Sequence, residues 1–251
     1  MNVRIVHTGS SGNLAVIDDT IVIDAGWSPA GELKGEEKAL FLTHCHADHT
    51  KFLSEFGGLP IYALETTAFK LQQGKFPYMA FNELIPGVTV WVQDGLYSYT
   101  INPVSLKHDV PCVGFEIMRF DDIGEEECIF YGTDFRAIED EEAFIKRLRD
   151  KYYDALYIEC NNTMTPQNMV DIYFPEDDGA PPKDEFHRRR SYDNHCNASY
   201  LMDIFTRAGY SESNKFTEPV TFLHKSSYYY HSNPELLVKL ANFINIQNIY
   251  Y

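Results

Sequence analysis

The chain has 251 residues, 44% of them apolar and 14% aromatic, which suffices for a real core and is not the makeup of a disordered protein. A formal net charge of −16 excludes a broad nucleic-acid-coating surface, though not a nuclease that relies on metals and a local basic patch. No apolar run approaches the ~20 residues of a membrane span, and since the first residues read directly as a strand, no signal peptide is expected. The five cysteines are odd in number and form no Cys-x-x-Cys pair, which fits reduced thiols in a cytoplasm.

One domain is expected, since no linker stands out. Its first hundred residues read mainly as strands: 3–7, 14–17, 20–24, 39–42, 60–63, 87–92 and 97–104, short, β-branched or aromatic runs punctuated by Gly, Asp or Pro. Two helices interrupt them, one from near Asp48 to the paired glycines at 57–58, the other over 65–73. A hairpin is expected from 113–120 and 128–131 around an acidic turn. The run 139–151 reads as a helix with Ala143, Ile145, Leu148 and Tyr152 inward, and 154–159 as a strand. Residues 161–194 carry four prolines and read as a long loop. A helix over 197–208 ending at Gly209, a strand over 219–223 and a helix over 234–243 complete the chain. Strands dominate the first half and strand–helix alternation the second, which suggests an α/β layered domain.

The chemistry-bearing residues concentrate in His44-Cys45-His46-Ala47-Asp48-His49, directly after the apolar run 39–42. At about 100° per helical residue, histidines at i, i+2 and i+5 point in different directions, so these donors belong on a loop between a strand end and a helix start. Thr43 and Asp48 are candidate caps of that helix. Four N/O donors exceed what one catalytic zinc takes from a single segment, so a second metal is expected. His108, Asp134 and His224 each follow an apolar run and are candidates for the remaining donors. Glu159 ends a strand and reads as ordinary structure or as a carboxylate that orients a ligand histidine. Cys45 and Cys196 read as small buried hydrophobes, and His7 and His231 as structural.

These motifs resemble the metallo-β-lactamase superfamily, whose HxHxDH hallmark stands here as His44, His46, Asp48 and His49. Thr8-Gly9-Ser10-Ser11-Gly12-Asn13 and Ile23-Asp24-Ala25-Gly26 are similar to elements preceding the hallmark. The resemblance implies an α/β fold, a four-layer αββα sandwich, with a dinuclear centre at the edge of its two sheets. One metal would take His44, His46 and His108, the other Asp48, His49 and His224, with Asp134 shared. It further implies a hydrolase that attacks with a metal-bridging hydroxide, with Asp48 able to accept a proton. Histidine and carboxylate donors suit two Zn²⁺ ions, and Mn²⁺, Fe or Ni²⁺ also fit.

The C-terminal third resembles the phosphodiesterase and nuclease branch, including ribonuclease Z, which makes His195 a phosphate-binding histidine or general acid. The opposite assignment, His195 on the metal and His224 not, stays open. Arg188, Arg189 and Arg190 follow His187 and offer guanidinium forks for phosphate, or else balance nearby acidic residues. The expected substrate is a phosphodiester, a short nucleic acid or a small molecule, with no membrane partner. Two rival readings are a lactone, thioester or β-lactam hydrolase with the same metals, and a non-catalytic metal-binding module.

Overall fold

The structure, a computed structural model, describes residues 1–124, 126–163, 192–226 and 233–250. It is of the α/β class, with two β-sheets and helices, as expected. The chain divides into two compact units, Met1–Ser105 with Val110–Tyr131, and Leu106–Asp109 with Gly132–Tyr251.

The first unit holds a six-stranded sheet in the order β1 (Val3–His7), β2 (Leu14–Ile17), β3 (Ile21–Ile23), β4 (Ala39–Phe41), β5 (Ile61–Leu64) and β6 (Asn82–Leu84). The first two pairings are antiparallel; from β3 to β6 the strands run parallel. β2, β3 and β4 are buried along their whole length, which explains why they read as unbroken apolar runs rather than alternating ones. One face packs Leu14, Val22 and Leu40 with Leu53, Phe56 and Leu71. These last three come from a 3-10 turn (Leu53–Phe56) and helix α2 (Glu65–Gln73), which follow the short helix α1 (Ala47–Thr50). The opposite face carries Phe41, whose ring meets Phe115 edge-on at 5.8 Å. Phe115 lies on β9 (Cys112–Phe120), which stands between β8 (Ser98–Lys107) and β10 (Glu126–Gly132), with β7 (Val90–Gln93) paired to β8. This unit therefore already contains helices, a sheet and a second layer of strands.

In the second unit, β12 (Ala155–Glu159), β13 (Phe216–Leu223) and β14 (Ile244–Ile249) run parallel, and β11 (Ala137–Ile138) pairs with residues 106 and 107. Helix α3 (Glu141–Arg149) starts where Asp140 accepts a hydrogen bond from the Ala143 amide. It buries Phe144, Ile145 and Leu148, each contributing roughly 1.5–3 kcal/mol. Ala143 and Tyr152 are not its inward positions; Tyr152 lies beyond the helix and is exposed, and Phe144 takes the place expected of them. Helix α4 (Ala198–Arg207) is capped by Asn197 and followed by Gly209 at φ 96°, and helix α5 (Pro234–Phe243) is capped by Asn233.

Three strands escaped the sequence reading: β6, β11 and β14, of which β6 and β11 are only three and two residues long. The helix expected to run from near Asp48 to Gly57 is instead α1 and a separate 3-10 turn. No helix among the described residues is long and apolar enough to cross a membrane.

Candidate metal centre

The first unit builds its donors at two neighbouring strand ends. β3 and β4 pair in parallel with Ile23 opposite Phe41, so Asp24 and Thr43 emerge side by side. Asp24 turns the chain at φ 63°, a left-handed backbone that costs a non-glycine residue about 1–2 kcal/mol. His44 and His46 lie between β4 and α1, and Asp48 and His49 within α1, close to the strand-end loop expected from their spacing. Asp24, Thr43, His44 and His49 are fully buried, while the Asp48 side chain keeps 23% exposure. The His44 ring stands 4.6 Å from that of His46 and 4.1 Å from that of His49.

Thr43 does not cap α1. The N-cap is His46, without a side-chain cap bond, and Thr43 turns to the interior. Its amide donates to Asp24 Oδ1 at 2.9 Å, and its Oγ1 lies 3.0 Å from both Asp24 carboxylate oxygens. Asp24 Oδ2 is 2.7 Å from His49 Nδ1. On the other side of that ring, Asn13 Nδ2 is 2.9 Å from Nε2. Asn13 is itself locked: its amide donates to the Asp48 carbonyl at 2.7 Å, and its Oδ1 accepts from Thr8 Oγ1 and the Gly9 amide.

This close approach explains two glycines. A Cβ on Gly26 would stand 1.5 Å from the Asp48 carbonyl oxygen, and one on Gly12 would stand 2.4 Å from that of Gly26. Asn13, Asp24 and Thr43 are thus the supports of the hallmark. Asn13 and Asp24 were signalled by the two short motifs ahead of it and Thr43 only as a candidate cap, but the partners of all three could not be read from sequence. His7 stacks on Trp27 at 4.0 Å and donates from Nδ1 to the Gly12 carbonyl, a structural role as expected.

The second unit gathers its donors from separate strand ends. His108 follows β8, Asp134 follows β10, Glu159 closes β12 opposite Leu223, and His224 follows β13. Asp134 at φ 52° and His224 at φ 49° are also left-handed, as residues at functional turns often are. Asn161 Nδ2 holds the His224 carbonyl at 2.8 Å. Asp134, Glu159, His195 and His224 offer ligand atoms all within 4.8 Å of one another.

Glu159 is the hub. Its Oε1 lies 2.7 Å from His195 Nδ1 and 2.9 Å from His224 Nδ1, and its Oε2 accepts from the Phe135 and Cys196 amides. His224 Nδ1 also touches Asp134 Oδ1. His195 is 16% exposed and stands 3.8 Å from the same Asp134 oxygen. His108 Nδ1 is 3.2 Å from the Asn194 carbonyl and its Nε2 is 3.1 Å from Asp109.

These groups perturb one another strongly. Burial alone would raise the Glu159 carboxyl, but the His195 and His224 imidazoles and their hydrogen bonds outweigh it and hold it below the usual value. Burial disfavours a charged His224, yet Asp134 and Glu159 overcome it and push its pKa up to about 10. At His108, burial prevails over Asp134, Asp109 and Glu159 and lowers the pKa. Buried imidazoles and carboxylates in contact are donors that a divalent transition metal fits, taking the place of the proton held between them.

His187 and Arg188, Arg189 and Arg190 lie outside the described residues, as does His231. Cys196 is buried as expected, whereas Cys45 is only half-buried.

Residues 19–205 match the family model for the Beta-lactamase superfamily domain. Nothing among the curated proteins matches the chain. Solved structures with similar folds include the metallo-beta-lactamase fold protein YhfI from Bacillus subtilis. It is 18% identical, with a TM-score of 0.60 over 98% of this chain and 95% of that one. Yeast PDE1 is 12% identical, with a TM-score of 0.65 over 99% and 97% of the two chains. A diphosphatase from the PhnP family is 18% identical, with a TM-score of 0.57 over 95% and 81%. At these identities the likeness is one of fold.

Proposed function

From the premise that this chain belongs to the Beta-lactamase superfamily domain family, we propose that it hydrolyses a phosphodiester with two divalent metal ions, most suitably Zn²⁺. The ions would be held by His44, His46, Asp48, His49, His108, Asp134 and His224. When bound, they would neutralise phosphoryl charge and make water acidic enough to serve as nucleophile near neutral pH.

The observation that carries the phosphodiester reading is His195. It lies within reach of Asp134, Glu159 and His224, its Nδ1 is held by the buried Glu159 at 2.7 Å, and it keeps some exposure, so we assign it to the substrate rather than to the seven metal donors. With Nδ1 so engaged, Nε2 is the nitrogen that would release a proton to the leaving oxygen, and Glu159 fixes the orientation of the ring. An alkoxide leaving group needs such an acid. Asp48, half-buried at the start of α1, would accept a proton during turnover. Arg188, Arg189 and Arg190 would grip phosphate oxygens of the substrate. With a net charge of −16, a short nucleic acid or a small-molecule diester suits the chain better than a long polyanion.

The test is metal analysis coupled to assays on bis(p-nitrophenyl) phosphate, single-stranded DNA, RNA and a panel of lactones. Diester turnover that tracks metal content is expected. Turnover of lactones alone would move the chain to the acyl-hydrolase reading, and metal uptake with no turnover to a binding module.

A further inference from the structure

We propose that the Thr43 hydroxyl is a positioning group that sets the tautomer of His44, beside a His49 whose tautomer is set by Asp24 and Asn13, so that both present an unprotonated Nε2 to metal. The inference rests on the reading of these histidines as metal ligands and adds to it the group that prepares His44.

The proton count is short. A hydroxyl carries one proton and two lone pairs. Thr43 Oγ1 lies 3.0 Å from both carboxylate oxygens of Asp24, 3.0 Å from His44 Nδ1 and 3.1 Å from His49 Nδ1. A carboxylate only accepts, so the hydroxyl proton points to Asp24; turned elsewhere, it would leave oxygen lone pairs facing one another in a buried site. What Oγ1 then offers the imidazoles is acceptor capacity. A nitrogen that faces an acceptor must carry a proton, so His44 is protonated on Nδ1 and bare on Nε2. The Cys112 thiol, 3.9 Å from the same nitrogen, is too weak a partner to reverse that.

His49 is fixed from both sides. Its Nδ1 faces Asp24 Oδ2 at 2.7 Å and so carries a proton. Independently, Asn13 Nδ2 approaches Nε2 at 2.9 Å. The Asn13 amide cannot be the other way round, because its Oδ1 accepts from Thr8 Oγ1 and the Gly9 amide. An amide NH₂ only donates, so Nε2 must be an acceptor. A metal at Nε2 takes over that lone pair, and Asn13 Nδ2 keeps the Gly9 carbonyl at 3.1 Å and the Asp48 carbonyl at 3.3 Å.

The hydroxyl therefore decides the tautomer at His44 alone, while Asp24 and Asn13 hold that of His49. Removing it should shift His44 and leave His49 as it is, which distinguishes this role from simple filling of the interior.

The experiment uses the chelator-treated, ¹⁵N-labelled chain. Long-range ¹H–¹⁵N spectra read each imidazole's tautomer, with His44→Gln and His49→Gln to assign the signals. Wild type is expected to show the Nδ1–H form at both positions. In Thr43→Val, which keeps the shape and removes the hydroxyl, His44 is expected to lose that preference. Zn²⁺ affinity, measured against a fluorescent chelator, should then weaken about 10- to 100-fold for the ion at His44, with His49 keeping its Nδ1–H form. Thr43→Ser should restore both readouts. An Nε2–H tautomer at His44 in wild type overturns the proposal, as does wild-type zinc affinity in Thr43→Val. If Thr43→Val does not fold, the wild-type tautomers and Thr43→Ser decide. A wild-type chain that takes up no metal defeats the metal-centre reading instead, and the spectra still decide the role of Thr43.

Discussion

The two units prepare their histidines by different means. In the first, His44 and His49 come from one short segment and are held by a single carboxylate, a hydroxyl and a carboxamide, all buried. In the second, the donors come from strand ends far apart in sequence, and two carboxylates, Asp134 and Glu159, press on His195 and His224. The first arrangement sets tautomers by hydrogen bonding. The second accumulates negative charge that only a proton or a metal ion can balance. The proposed donors are thus held by hydrogen-bond geometry in the first unit and by charge in the second.

Substitutions and pH separate the two. The largest effect is expected from Asp134→Ala in the charged set: metal content should fall and diester hydrolysis drop to background, measured by elemental analysis and turnover on one preparation. A fully active variant would sink the dinuclear proposal. His195→Ala should keep its metals and lose about 10²- to 10⁴-fold in diester turnover. Loss of a metal there would show His195 to be a ligand.

Metal uptake should also depend on pH. His224, raised from 6.5 to about 10 in the metal-free chain, holds a proton that a metal must expel. Affinity should therefore rise with pH from about 7 towards 10. The sign for stability is opposite: the contribution of the charged His224 is complete below pH 6.5 and lost as pH climbs through 10. Chelator competition and denaturant melts of the metal-free chain, run across this window, check both. The smallest effect is expected from Gly26→Ala in the first unit. Its Cβ collides with the Asp48 carbonyl, so unfolding should become easier by about 1–3 kcal/mol. A variant as stable as wild type would show that the Asp48 turn can move.

Much of the fold was legible because burial leaves a pattern. The doubly covered strands β2, β3 and β4 are unbroken apolar runs, and α2, α4 and α5 have clear caps or stops. β6 and β11 were missed because two or three residues give no period, and residues 82–84 are mostly exposed polar ones. The sequence after the hallmark reads as one helix because the local signals at its two ends say nothing of the break at residues 51–52. Glu159 was readable as a strand-end carboxylate, but its two imidazole partners lie 36 and 65 residues away.

Spacing along the chain was enough to say that His44, His46 and His49 cannot share one helical face, because it fixes the direction in which each side chain leaves a helix. What holds them was not legible in that spacing. Thr43 reads locally as a helix cap, yet parallel pairing of β3 with β4 sets it beside Asp24 and turns its hydroxyl inward. Which hydrogen bonds a side chain makes is decided by the neighbours that folding brings within 3 Å, and no local pattern records those.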